Sequence, residues 1–170
     1  SRHAEQKGLD LVTEAAPALL GLPARWVVLG SGQPRYEQAL RALAERHPDR
    51  IAYRGEFNDP LAHRIEAGSD FFLMPSRYEP CGLNQMMSMR YGTVPVVRET
   101  GGLADTVVPI GEGERGTGIR FRPYTAEALV AAVREALDLY GRPEAMKRAR
   151  RNGMALDFSW ENSARKYVQL

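Results

Sequence analysis

Residues 71–84 read Phe71-Phe72-Leu73-Met74-Pro75-Ser76-Arg77-Tyr78-Glu79-Pro80-Cys81-Gly82-Leu83-Asn84. Four apolar residues are stopped by a proline. A turn rich in Pro and Gly follows, and then a helical pattern over residues 82 to 91. A run apolar on both faces suits a strand of a parallel sheet covered by helices on both sides. The same order recurs where Val94-Pro95-Val96-Val97 leads into Glu99-Thr100-Gly101-Gly102-Leu103-Ala104-Asp105-Thr106. Two such junctions set backbone N–H groups at helix starts around a shallow cup, which is what a phosphate or a sugar hydroxyl requires.

Outward from this stretch, strand signals lie at Trp26-Val27-Val28-Leu29, Ile51-Ala52-Tyr53 and Gly118-Ile119-Arg120-Phe121. Helical patterns alternate with them. Leu9, Val12, Ala16 and Leu19 share a face, as do Tyr36, Leu40, Leu43 and Ala44. Leu61, Ile65 and Ala67 predict a short helix with Asp59 as N-cap and Pro60 in its first turn. Ala128, Leu129, Ala132, Val133, Ala136 and Leu137 form a stripe after Thr125, a capping residue. Pro143 opens another helix, and Ser159 caps a last one. This βαβα order predicts one α/β domain over residues 1–170, a Rossmann-like, doubly wound parallel sheet with helices on both faces. Ligands in such folds sit beyond the carboxyl ends of the strands, where both junctions lie. Ser1-Arg2 stands just ahead of a helix with no strand before it. The reading therefore expects a chain that starts one strand late, as a piece of something larger, with its sheet gapped or reordered.

The chain has 170 residues, 44% apolar and 26% charged, which suits a globular domain with a full-sized core. A net charge of +2 gives no case for nucleic acid. No apolar run approaches the roughly 20 residues that span a bilayer, and no signal peptide is visible. Cys81 stands alone, which excludes an internal disulfide and is compatible with a reducing cytoplasm. His3, His47 and His63 form no metal-ligand spacing, and no Ser-His-Asp or Cys-His arrangement can be defended.

Gly30-Ser31-Gly32 after a strand begins like a dinucleotide fingerprint. Arg35 stands where the third glycine belongs, and no acid is placed to hold a ribose. Glu79 reads either as an exposed loop carboxylate or as an acid that accepts sugar hydroxyls or faces developing positive charge. Gly101-Gly102 makes a turn or lets a ligand approach backbone, with N–H groups supplied from Leu103 onward and Asp105 and Thr106 as caps. Arg2 and Lys7 are surface cations or a pair that neutralises a diphosphate. Met86, Met87 and Met89 read as packing. Lys147, Arg148, Arg150 and Arg151 read as a solvated helix face.

Four stretches carry a resemblance. Ser-Arg-x-x-x-Gln-Lys-Gly-Leu-Asp at 1–10, Pro-Ser-Arg-Tyr-Glu-Pro-Cys-Gly-Leu at 75–83, Thr-Gly-Gly-Leu-Ala-Asp-Thr-Val at 100–107 and Asp-Phe-Ser-Trp-Glu at 157–161 resemble bacterial glycogen synthase and plant starch synthase. The resemblance covers nearly the whole chain and corresponds to the C-terminal, nucleotide-sugar-binding half of a two-domain GT-B glycosyltransferase. It implies a cytoplasmic enzyme that transfers glucose from ADP-glucose to the non-reducing end of an α-1,4-glucan, with retention and without a metal or other cofactor. It implies that Arg2 and Lys7 grip the diphosphate and that Glu79 is the essential acid at the donor glucose. Cys81, Gly82 and Leu83 would line sugar and phosphate. Phe57 would stack on the base, and Gly101, Gly102 and Thr106 would lie beside the phosphates. Many related enzymes carry a second Glu eight positions after the first. Met87 stands there, which leaves ribose binding unassigned. The other wall of the cleft and much of the acceptor site belong to an N-terminal domain that this chain lacks, so the chain alone is expected to bind donor weakly and to transfer little glucose. Two rival readings are a sucrose or trehalose-phosphate type transferase and a non-catalytic nucleotide-binding module.

Overall fold

The computed structural model describes residues 2–111 and 113–168. Five strands, β1 (Trp26–Leu29), β2 (Ile51–Arg54), β3 (Phe71–Met74), β4 (Val94–Arg98) and β5 (Ile119–Phe121), alternate with helices. The helices are α1 (Leu9–Leu20), α2 (Pro34–Arg46), α3 (Asp59–Gly68), α4 (Asn84–Arg90), α5 (Gly101–Thr106), α6 (Ala126–Tyr140), α7 (Pro143–Ala155) and α8 (Trp160–Val168). A 3-10 turn, Glu5–Lys7, precedes α1. Every strand pairing is parallel, as expected for strands joined by helical crossovers.

Among the described residues the strands form two sheets, β1-β2 and β3-β4-β5, with no pairing between β1 and β3. This is the gapped sheet that the sequence reading offered as one of its two outcomes. Pro95 is tolerated in the middle strand because β4–β5 pairing begins only at Val96↔Ile119, so no ladder bond is lost at its nitrogen.

α6 shows how the local pattern becomes a fold. Thr125 Oγ1 accepts from the Ala128 N–H at 3.3 Å and caps the helix. Leu129, Ala132, Val133, Ala136 and Leu139 then fall on one stripe and are buried. They pack with Leu11 and Leu19 of α1, Val94 and Val96 of β4, and Ile119 and Phe121 of β5 in the main core. Truncating a fully enclosed member such as Leu129, 0% exposed, to Ala costs about 2–5 kcal/mol. Met74, Val97, Leu103 and Val107 form a second cluster. Leu9, Tyr36 and Leu40 form a third beside Val28 and Tyr53.

Some boundaries differ from the sequence reading. The N-cap of α3 is Asn58, whose Oδ1 accepts from the Leu61 N–H at 3.0 Å, so Asp59 is the first helical residue and not the cap. Helix α4 opens at Asn84 and not at residue 82, because Gly82 takes a left-handed φ of 70° that no helix contains. Ser159 does cap α8, accepting from the Asn162 N–H at 3.2 Å. Met89 is buried, and Met86 and Met87 are half-buried. The basic face of α7 is mostly exposed, with Lys147 paired to Glu144 at 2.9 Å and Arg150 to Asp70 at 2.6 Å.

Candidate functional site

The carboxyl end of β3 delivers the turn of residues 75–83, and the segment leading into α1 lies against it. Lys7 Nζ and Glu79 Oε2 meet at 2.5 Å across 72 positions of sequence. Glu79 is 7% exposed, so it is not a solvent-facing loop carboxylate. The same Oε2 accepts from the buried Ser76 hydroxyl at 3.3 Å. A carboxylate this enclosed persists because a cation and a hydroxyl replace its water. Lys7 keeps two further N–H donors for another anion.

Backbone and side-chain bonds hold the two segments in register. The Arg77 N–H donates to Gln6 O at 2.9 Å, and Gln6 Nε2 donates to Tyr78 O at 3.2 Å. Arg98 Nε donates to Ser76 O at 2.7 Å, and its Nη2 donates to Arg77 O. Arg77 Nη2 reaches Asp10 Oδ2 at 2.9 Å, and Tyr124 donates to Asp10 Oδ1 at 2.6 Å. The Arg77 guanidinium lies over the Tyr124 ring, 4.3 Å from its centre. Burial works to raise the Asp10 pKa, but the bonds from Tyr124 and Arg77 outweigh it and hold Asp10 below the ordinary carboxylate range. The Tyr124 hydroxyl is pushed up to about 12 by burial and by the neighbouring Asp10 carboxylate.

The second junction packs directly on the first. The Gly102 N–H donates to Glu79 O at 3.0 Å and to Pro80 O at 3.2 Å. A Cβ at Gly102 would fall 2.5 Å from the carbonyl carbon of Cys81 and 2.6 Å from its Cα. Gly101 adopts φ 45°, and a Cβ there would be 3.1 Å from the Glu79 carbonyl carbon. The glycine pair is thus explained by one turn seated on the other, and the Gly102 N–H is already occupied. Helix α5 begins at Gly101, two residues before the expected Leu103. Thr106 ends it and is no N-cap. Its hydroxyl bonds back to Gly102 O at 2.6 Å and accepts from Gln85 Nε2 at 3.0 Å. Gln85, 0% exposed, also donates to Gly82 O at 2.9 Å and so ties both turns together.

A family profile described as "Glycosyl transferases group 1" matches residues 1–153. The chain belongs to the glycosyl transferases group 1 family. It is 58% identical to the "Glycogen synthase" of Anaeromyxobacter dehalogenans (strain 2CP-C) over 170 residues, which is the whole chain and 36% of that relative. Its structure is similar to the "Catalytic domain of Starch Synthase IV from Arabidopsis thaliana bound to ADP and acarbose", with a TM-score of 0.90 and 32% identity over 99% of the chain and 36% of that protein. A sucrose-phosphate synthase from Thermosynechococcus elongatus matches more distantly, with a TM-score of 0.72 and 25% identity over 99% of the chain and 42% of that protein. The chain therefore spans about 36% of the length of the glycogen synthase and starch synthase it matches.

Within this family member, the residues singled out from sequence divide by place. Lys7, Glu79, Cys81, Gly82, Gly101, Gly102 and Thr106 belong to one interlocked cluster. Arg2 is exposed and joins it through Gln6, donating to Gln6 Oε1 at 3.4 Å. Leu83 is 64% and Phe57 89% exposed, Phe57 on the loop after β2 at the carboxyl end of that strand. Cys81 is exposed, with a free thiol.

The dinucleotide-like turn has another explanation. The segment 2–4 lies on it, with the His3 N–H donating to Ser31 O at 2.8 Å and the Gln33 N–H to His3 O at 2.7 Å. A Cβ at Gly32 would be 2.8 Å from both the His3 carbonyl carbon and nitrogen. The Gly32 N–H, which a phosphate would need, is taken by Glu37 Oε1 at 2.7 Å. Sequence reasoning passed over His3, Gln6, Asp10, Gln85, Arg98 and Tyr124 as site-forming residues. His3, Gln6 and Asp10 are near neighbours in sequence, but no local spacing connects them to Gln85, Arg98 or Tyr124. Only the parallel crossovers bring them together.

Among the described residues no group of three His, Cys, Asp or Glu side chains is placed to hold a metal ion. No described helix is long and apolar enough to cross a membrane.

Proposed function

We propose that this chain is the donor-binding domain of an ADP-glucose-dependent glycogen or starch synthase, and that the longer enzyme transfers glucose with retention to the non-reducing end of an α-1,4-glucan. The observation that carries this reading is the Lys7–Glu79 contact at 2.5 Å at the end of β3. It sets a cation and a buried acid side by side where an α/β sheet presents its ligands. Breaking the bond from the anomeric carbon to a nucleoside diphosphate builds negative charge on the leaving phosphate and positive charge on the sugar. Lys7 and Arg2 face the first and Glu79 the second, and fixed charges of this kind lower the barrier without a proton donor. One carboxylate near the sugar is not the paired-carboxylate layout of a retaining glycosidase. The identity to glycogen synthases supports the glucan acceptor, and the starch synthase described with ADP supports the adenine base. No metal or cofactor enters this scheme.

Because the acceptor wall belongs to another domain, the isolated chain binds donor weakly and transfers little glucose. Calorimetric titration with ADP tests the phosphate assignment. The Arg2→Ala/Lys7→Ala double variant is expected to lose more affinity than Glu79→Ala, and equal affinity in wild type and both variants would refute the assignment. The likeness to a sucrose-phosphate synthase favours one rival, a sucrose or trehalose-phosphate type transferase. Competition between ADP-glucose and UDP-glucose separates them, and tighter binding of UDP-glucose would favour the rival.

A further inference from the structure

His3 is 1% exposed, and neither of its ring nitrogens has a hydrogen-bond partner among the described residues. A neutral imidazole carries one N–H donor and one acceptor nitrogen, and burying both unpaired costs free energy. The residue is held there from two sides. Its backbone is clamped on the Gly30–Gly32 turn by the bonds from the His3 N–H to Ser31 O and from the Gln33 N–H to His3 O. Its ring lies against Tyr53 of β2, with ring centres 5.8 Å apart and planes tilted by 31°. The Tyr53 hydroxyl is itself buried and without a partner among the described residues. Arg2 directly precedes His3, and the Lys7 N–H bonds back to Ala4 O at 2.9 Å, so one short segment carries the clamp and both cations of the candidate site.

A pocket that offers no acceptor admits this ring neutral and not charged. Burial acts most strongly and lowers the His3 pKa, the amino group of the chain lowers it further, and Glu37 of α2 works in the opposite direction. Glu37 spends Oε1 on the Gly32 N–H and makes no bond to the ring. The Tyr53 phenol stays un-ionised, raised by burial and by Glu37 against the pull of Arg41 on α2.

We propose that His3 is a positioning residue for the donor site: its neutral imidazole pins the segment bearing Arg2 to the Gly30–Gly32 turn, and its protonation expels the ring and releases Arg2, so that the grip on a diphosphate weakens in mild acid. The release is partial. Lys7 keeps its contact with Glu79, and Gln6 O keeps the Arg77 N–H, because neither depends on the His3 ring. The sign follows from linkage. The folded pKa is depressed, so the clamp is complete above the ordinary histidine value near 6.5 and is lost as pH falls from there through the folded value. The clamp stands on the geometry of His3 alone, and its effect on binding rests on the donor site proposed above.

The test follows this chain between about pH 7 and about pH 5, the range in which a histidine changes charge. NMR reads the His3 ring resonances and the protection of the His3 and Gln33 amides, corrected for the intrinsic pH dependence of exchange. Calorimetry reads the affinity for ADP-glucose, whose diphosphate is esterified at both ends and does not titrate in this range. His3 is expected to titrate below its ordinary value. Protection at both amides and donor affinity are each expected to fall about tenfold with that same midpoint, the scale of one lost charge-assisted contact. His3→Leu and His3→Gln cannot take the charge and are expected to hold both readouts level. The amino group, with an ordinary pKa of roughly 7.7–8.0, keeps its proton across the transition and does not produce it. A His3 ring that titrates at its ordinary value with both amides still protected would overturn the proposal, and so would an equal acid loss in both variants. Acid loss of amide protection without ADP-glucose binding at any pH would uphold the clamp but remove the donor site, and with it the positioning role.

Discussion

Replacing Gly102 by Ala tests whether the two glycine-bearing turns work as one body. The new methyl would sit 2.5 Å from the carbonyl carbon of Cys81 and closer still to its oxygen, and ordinary contact begins near 3.4 Å, so backbone must part by at least about 0.9 Å. The obstacle is main chain, which cannot rotate aside as a side chain does. Overpacking of this kind costs roughly 1–3 kcal/mol. The strained Gly102 N–H bond to Glu79 O adds about 1 kcal/mol if lost. Ala recovers roughly 0.5–1 kcal/mol of chain entropy relative to Gly. The net loss is about 1–3.5 kcal/mol, or roughly 2–14 °C in Tm for a domain of this size. The same movement carries the Glu79 backbone away from Lys7, so ADP affinity falls with stability. Differential scanning calorimetry and an ADP titration read both. Gly68→Ala is the control, since nothing lies within 4 Å of its Cβ, and it is expected to hold or raise Tm. A Gly102→Ala protein with Tm within 1 °C of wild type and unchanged ADP binding would refute the close packing described here.

Three further outcomes are expected. Lys7→Ala strips a cation from a carboxylate that is only 9% exposed and is expected to cost roughly 1–3 kcal/mol, less than a fully buried pair because Lys7 is 26% exposed. Adding Glu79→Gln should restore most of that stability in urea melts but none of the ADP binding. Asp10, held below its ordinary pKa, contributes stability that is present above the unfolded carboxylate value near 3.8 and lost as pH falls through the folded one. Tyr124, raised to about 12, contributes stability that is complete below pH 10 and lost as pH rises toward 12. Urea midpoints against pH should therefore fall less steeply at the acid end in Asp10→Asn and at the alkaline end in Tyr124→Phe. Phe57→Ala should leave Tm unchanged, since the ring is 89% exposed, while ADP affinity drops roughly tenfold through lost stacking on the base.

The sequence made some of this legible and hid the rest, for physical reasons. The α6 stripe states its burial through local periodicity and the structure keeps most of it, whereas in the Phe71–Met74 run only Met74 is buried and the other three are half-buried. The caps at Thr125 and Ser159 are local as well. Gly101 and Gly102 were legible as glycines that something approaches closely, but not as to what approaches. The Cys81 and Glu79 backbone fills that space, and no spacing within residues 99–106 encodes it. The Asp10–Arg77–Tyr124 cluster joins positions 67 and 114 apart. Asp10 and Arg77 stand in two separate motifs and Tyr124 in neither, and only the fold places the three together. Glu79 was legible as a candidate and illegible as a buried one, because its burial is created by Lys7 and Ser76.

The central claim is that a donor's diphosphate lies on Lys7 with its hexose on Glu79. Crystals of this chain soaked with ADP-glucose test it most directly. The account predicts phosphate oxygens within about 3.2 Å of Lys7 Nζ and a sugar hydroxyl within the same reach of Glu79. A donor seated on the Gly30–Gly32 turn, with Lys7 and Glu79 still closed on each other and untouched, would contradict it.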